Sequence, residues 1–268
     1  MADSVSSRYL RELGVAEPSP LTSPFDPGEA PCVLESHLQQ SAGLMERIKL
    51  SMSCWIIADY AATQTKVTTA RKHEVPTVAG GGPFEIAAAH DKVAPYLELC
   101  ADAGFDRMEV SQGFVRSQLD ARQIVADANA LGLEVQYELG SKHLGKFTAA
   151  AMDELVEEGY AWLAAGVVDL VIEAREDARN IGLFDEGQQL NTRFADRFVE
   201  AWGLDSICFE APTKRSQFAL LDHYGSQVRL SNVRFGELLR VETYRRGLHS
   251  DAYRNEKLRP GLPEVAVR

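Results

Sequence analysis

No run of eighteen apolar residues occurs in this chain, and its first residues, "MADSVSSRYLRELG", hold no apolar segment of the signal-peptide kind. These absences predict a cytoplasmic protein with neither a leader nor a helical membrane span. Basic residues are scarce: 28 Lys and Arg stand against 39 Asp and Glu, a net charge of −11. So acidic a chain lacks the basic footprint that nucleic acid requires, and any anionic ligand must be caught by a local cluster of cations. Its four cysteines, Cys32, Cys54, Cys100 and Cys208, include no C-x-x-C pair, which excludes the usual zinc and disulfide frameworks. Neither H-x-x-x-H nor H-x-x-E-H is present, and no G-x-S-x-G turn offers an activated serine. A G-x-G-x-x-G turn after the first strand is also missing, which disfavours a dinucleotide-binding open sheet, the runner-up architecture.

What the chain does have is alternation. Short apolar runs at 21–25, 44–51, 76–80, 106–111, 133–138, 168–173, 206–210 and 228–231 read as strands. Between them, 84–103, 117–131, 148–165 and 188–202 repeat apolar residues at helical spacing. Several of these close on a glycine suited to a left-handed cap, at Gly104, Gly132, Gly166 and Gly203. Eight such units predict a (β/α)₈ TIM barrel over 21–252, with a short extension at 1–20 and a surface tail at 253–268.

In a barrel the carboxyl ends of the strands form the active face, so polar residues there are candidates for chemistry. The strand tips carry Asp26, Lys49, the Gly80–Gly82 loop, Glu109, Ser111 with Gln112, Glu138 with Lys142, Glu173 with Arg175, Glu210, and Asn232. Gathering four glutamates on one ring is costly unless cations or a metal ion sit among them. Lys49, Lys142, Arg175 and Lys214 are available as cations. Hard oxygen donors without imidazole or thiolate suit Mg²⁺, which makes Glu109, Glu138, Glu173 and Glu210 the candidate metal ligands. Gly81 and Gly82, leading into a helix, offer backbone N–H groups to a carboxylate or phosphate, and Ser231 with Asn232 lies where many barrels bind phosphate.

The segments "GGGPFEIA" (80–87), "CADAGFDRMEVSQG" (100–113), "ELGSK" (138–142), "VIEARE" (171–176), "FEAPTKRSQ" (209–217) and "SNVRFGELLRVETYRRGL" (231–248) resemble the phosphosulfolactate synthase family. The resemblance implies a (β/α)₈ lyase that uses Mg²⁺ to add sulfite to carbon 3 of phosphoenolpyruvate, on a route to coenzyme M or sulfolactate. It implies that Lys142 protonates carbon 2, and that Lys49, Arg175 and Lys214 belong with the four glutamates. Small anionic substrates are then the partners, and the helix at "GELLRVETYRRGLHSD" and the N-terminal extension are candidate subunit contacts in a homo-oligomer.

Four places depart from the family pattern: "LSMSC" (50–54) where F-G-W-G-T is usual, Gln112 where a carboxylate is usual, "EAREDA" for E-G-R-E-S-G, and His249 for a basic residue. Two alternatives stay open beside sulfite addition. One is the same fold adding a different nucleophile to phosphoenolpyruvate or a related enol; the other is a non-catalytic, stress-associated relative.

Overall fold

Eight short strands, buried along nearly all their length, pair in parallel in chain order and close on themselves in the computed structural model, which describes residues 4–15, 17–115, 117–253 and 255–258. They are β1 (Thr22–Asp26), β2 (Ile48–Leu50), β3 (Thr77–Ala79), β4 (Arg107–Ser111), β5 (Glu134–Leu139), β6 (Asp169–Ile172), β7 (Ile207–Glu210) and β8 (Leu230–Arg234). Closure comes from β1, which pairs with β2 on one side and β8 on the other. The predicted TIM barrel is therefore the observed fold.

Before the barrel, α1 (Val5–Glu12) is a short helix whose first turn is capped by the Ser4 hydroxyl. Around the barrel run α2 (Pro31–Ser41), α3 (Cys54–Ile57), α4 (Tyr60–Lys72), α5 (Gly82–Ala89), α6 (Val93–Ala103) and α7 (Ala121–Ala130). They continue with α8 (Ala149–Ala165), α9 (Thr192–Trp202), α10 (Lys214–Tyr224) and α11 (Leu238–Arg245). Most of the tail read at 253–268 lies outside the described residues.

Where boundaries differ from the sequence reading, local chemistry decides. The 84–103 pattern is two helices, α5 and α6, parted at Asp91, which holds φ 55°. Pro95 explains the break, since its ring is tolerated only in the first turn of a helix and blocks continuation from upstream. Helix α7 begins late because Asp120 accepts from the Gln123 N–H, and α9 because Asn191 accepts from the Phe194 N–H. The 44–51 run yields a strand only at Ile48–Leu50, because Ala42–Leu44 forms a 3₁₀ turn instead. Gly104 and Gly166 do form left-handed caps, at φ 89° and 103°.

Inside the barrel the lower layer is ionic. Asp169 pairs with Arg47, Arg107 and Arg229, while Glu46 accepts from Arg229 Nε at 2.8 Å and from Arg47 Nη2 at 2.6 Å. Buried charges persist only when so paired, which makes this layer a closed floor beneath the strand tips. Gln136 rises from it: its carbonyl oxygen accepts from Arg47 at 3.1 Å, and its amide nitrogen donates upward to Glu109 at 2.8 Å. The "ETYRRGL" motif has a structural duty as well. Fully buried Arg245 donates to Glu242 at 3.0 Å, to the carbonyls of Ser226 (2.6 Å) and Val228 (2.7 Å), and to Thr22 Oγ1 at 2.9 Å. Those bonds tie α11 to the seam where β8 meets β1.

Candidate active site

Side chains alternate along a strand, so residues two apart share a face. On β4 this sends Arg107, Glu109 and Ser111 inward, and on β5 it sends Gln136 and Glu138 inward with them. At the carboxyl ends Lys49, Glu109, Glu138, Lys142, Glu173, Arg175, Glu210 and Asn232 all line one cavity of about 330 Å³. Gly81 and Gly82 border it, and Phe25, Met52, Ile86 and Phe114 add apolar wall.

Two ammonium groups are threaded among the carboxylates. Lys49 Nζ lies 2.8 Å from Glu109, 3.1 Å from Glu210 and 3.5 Å from Glu138. Lys142 Nζ lies 2.7 Å from Glu138 and 2.9 Å from Glu173. Backbone amides hold the acids in place: Glu210 Oε2 accepts from the N–H groups of Ala174 (2.8 Å) and Arg175 (3.1 Å). Asn232 donates to the other oxygen of Glu210. Three carboxylates, Glu138, Glu173 and Glu210, offer oxygens that all lie within 4.8 Å of one another.

Burial and charge pull the acids in different directions. Burial alone would raise the Glu138 carboxyl, but the Lys142 and Lys49 ammoniums outweigh it and hold the group at about 2. Glu173 goes the other way: burial, reinforced by the charges of Glu138 and Glu210, lifts it well above the usual carboxylate range. Glu109 is raised by burial despite Lys49. Burial works against the charged form of Lys142, yet Glu138, Glu173 and Glu210 together raise it above an ordinary lysine.

Three sequence candidates stand elsewhere. Lys214 begins α10, half-exposed on the surface and 3.5 Å from Asp251, and does not line the cavity. Its spacing after the Glu210 tip carried it past the mouth onto the helix. Ser231 is buried in β8 beside Cys208, behind the cavity wall, because the neighbouring Asn232 takes the cavity-facing place. Ser111 donates to Glu85 Oε1 at 2.6 Å and so serves the wall instead of the cavity. The Gly81 N–H expected to be free for a ligand donates to Glu109 at 3.1 Å. Asp26 at the first tip pairs with Lys66 at 2.6 Å.

Glu85 and Gln136 were not legible as site residues. Glu85 is buried in the first turn of α5, where its Oε2 accepts from the N–H groups of Phe114 and Val115 at 2.8 Å each. It thereby pins the loop that carries Phe114 over the cavity. An acid three residues after a glycine triplet is a usable signal for such a role, as is a glutamine two residues before a tip glutamate.

A sequence model of the (2R)-phospho-3-sulfolactate synthase (ComA) family matches residues 19–251. The chain belongs to the phosphosulfolactate synthase family. It is 29% identical to a phosphosulfolactate synthase of Methanocaldococcus jannaschii over 234 residues, 87% of this chain and 93% of that one. It is also 29% identical to one of Methanothermobacter thermautotrophicus, over 86% of this chain and 90% of that one. Among solved structures, 3-dehydroquinate dehydratase of Enterococcus faecalis superposes with a TM-score of 0.55 at 9% identity, covering 85% of this chain and 94% of that one. That likeness concerns the barrel alone. Every cavity-lining residue named above falls within the span that matches the phosphosulfolactate synthase family.

Proposed function

We propose that this chain adds sulfite to carbon 3 of phosphoenolpyruvate in a Mg²⁺-dependent reaction, giving phosphosulfolactate. The observation that carries the reading is the charge inventory of the cavity. With all four glutamates ionised, Lys49 and Lys142 leave a formal charge of −2, and the upward shifts of Glu173 and Glu109 show how strongly burial resists that charge without a further cation; Arg175 and Glu176 offset each other at the rim. A buried deficit of that size calls for a divalent cation.

The donor set suits Mg²⁺. Glu138, Glu173 and Glu210 present converging oxygens, and hard carboxylate donors with room left for water and ligand oxygens are what this ion prefers. Asn232 Oδ1 is buried and accepts no hydrogen bond, and Glu173 Oε2 has the Lys142 ammonium as its one near partner, at 2.9 Å. When bound there, Mg²⁺ would supply positive charge beside the substrate carboxylate, where negative charge grows during the addition.

The chain's own residues account for the rest. As the sulfur–carbon 3 bond forms, the double-bond pair moves to carbon 2 and its carboxylate, and carbon 2 then takes a proton. Lys142 is the acid: its ammonium faces the cavity and is kept protonated by Glu138 and Glu173. Neutralising either partner loosens that hold, so the acid strength of Lys142 follows the charge state of its neighbours. Lys49, anchored by three glutamates, fixes their spacing and keeps positive charge at the cavity floor. Gln136 orients Glu109 from below.

Incubation with phosphoenolpyruvate, sulfite and Mg²⁺ tests the reading, with Lys142→Ala as the control. Absence of product with every divalent metal tried would remove it. A second reading, a bulkier and less charged nucleophile on the same enol, is favoured by the apolar wall of Met52, Ile86 and Phe114. Sulfite and thiols competing in one assay separate the two.

A further inference from the structure

Beside the inner cavity lies a wider depression of about 790 Å³, continuous with it through Lys142, Arg175 and Glu176. Its cations differ from those inside. Lys142 is committed to two glutamates, and Arg179 is 3.4 Å from Glu186. The Arg175 guanidinium donates to the Lys142 carbonyl, at 2.9 Å, and forms no ion pair among the described residues. Arg234 forms none either; its guanidinium lies over the Phe25 ring, 5.9 Å from the centroid. Both arginines are exposed, and both line the depression.

We infer that Arg175 and Arg234 form the seat for the phosphate monoester of the substrate, at the rim of the barrel and outside the carboxylate ring. The inference rests on the proposed reaction for the identity of the ester. Three observations carry it. First, the inner cavity is formally negative, so a phosphate dianion there would meet four carboxylates. Second, the backbone seat at the glycine triplet is taken: the Gly81 N–H holds Glu109, and Glu85 occupies the first turn of α5. Third, two guanidiniums without carboxylate partners among the described residues, in a protein of net charge −11, line a depression that Lys142 also lines.

A guanidinium presents paired donors that match phosphate oxygens, and two of them balance a dianion. The Phe25 ring gives Arg234 a face to rest on, which limits the freedom lost on binding. The arrangement orients the substrate, with the ester outward on the arginines and the acid end inward toward the glutamates. Glu176 is the opposing element. It lines both cavities and repels an anion held at this rim.

Calorimetric titration with inorganic phosphate and with phosphoenolpyruvate, in the presence of Mg²⁺, tests the seat without requiring turnover. Arg234→Ala is expected to weaken both ligands at least tenfold, Arg234→Lys less, and Glu176→Gln to tighten both. Because Arg234 is exposed, these variants keep the fold, which a melting curve verifies. Phosphoenolpyruvate binding by Arg234→Ala and Arg175→Ala within twofold of the parent overturns the seat. Arg234-dependent phosphate binding without any phosphosulfolactate formation supports the seat and refutes the reaction; turnover with an unchanged KM in both arginine variants does the reverse.

Discussion

Lys142 stands between Glu138 and Glu173, its ammonium 2.7 Å from an oxygen of the first and 2.9 Å from an oxygen of the second. The Glu138 contact is local, from the tip of β5 to the loop after it, whereas Glu173 is brought in from the end of β6. The pairing gives the cavity an acid with two partners of opposite character: Glu138 held at about 2, and Glu173 pushed well upward by burial.

Replacing that acid separates chemistry from binding. Lys142→Ala should lower kcat by roughly 10²–10⁴-fold, the usual span for a lost general acid. Phosphoenolpyruvate binding should change far less, because the ester seat lies elsewhere. Steady-state kinetics beside a binding titration check the split.

Metal removal should be visible without any assay of activity. Protein stripped with a chelator should gain about 2.7 kcal/mol of stability when Mg²⁺ is added at a hundredfold excess over its Kd. In Glu210→Gln the gain should shrink, since one of the three converging carboxylates is gone. Melting temperatures against Mg²⁺ concentration provide the comparison.

The seam between α11 and β1 predicts a pH dependence of stability. Burial would raise Glu242, but Arg245, with help from Thr22 and Arg246, holds it below the usual carboxylate range. A carboxyl lowered in the folded state stabilises fully above its unfolded value of about 4.3, and loses that contribution as pH falls through the folded value. Glu242→Gln should therefore be markedly less stable than the parent at neutral pH and approach it under acid. Removing the partner by Arg245→Ala leaves buried Glu242 with only Arg246 and Thr22 and should cost up to about 3–5 kcal/mol at pH 7. Urea titrations across pH measure both.

Gly140 holds φ 133°, and a Cβ added there would lie 2.7 Å from the Glu173 Cβ. Gly140→Ala should cost more than about 1 kcal/mol, from backbone strain alone, and should displace Glu173. A lowered melting temperature together with a weakened Mg²⁺ response is the expected pair of results. Lys214→Ala, on the outer surface beside Asp251, should alter kcat/KM by less than twofold.

The barrel was legible because each strand is buried on both faces and reads as an apolar run with a polar tip, as in "VDLVIEAR". The same tips brought Lys49, Glu109, Glu138, Lys142, Glu173, Arg175, Glu210 and Asn232 to one cavity. What stayed hidden depends on contacts across the barrel. Glu85 looks like a helix residue until Ser111 and the Phe114 amide meet it, and Gln136 looks like strand filler until Glu109 lies above it. Lys214 stands off the cavity because it opens α10, beyond the Glu210 tip, with its side chain toward Asp251. Within the helix read as a candidate subunit contact, Glu242 and Arg245 turn inward to the seam, a duty that also depends on contacts across the barrel.

Phosphorus NMR of the protein with phosphoenolpyruvate, sulfite and Mg²⁺ in deuterated water tests the central claim most directly. The account predicts that the phosphoenolpyruvate signal gives way to that of phosphosulfolactate carrying one deuterium at carbon 2, and that Lys142→Ala arrests the conversion. An unchanged phosphoenolpyruvate signal, or conversion by Lys142→Ala at the parent rate, would contradict it.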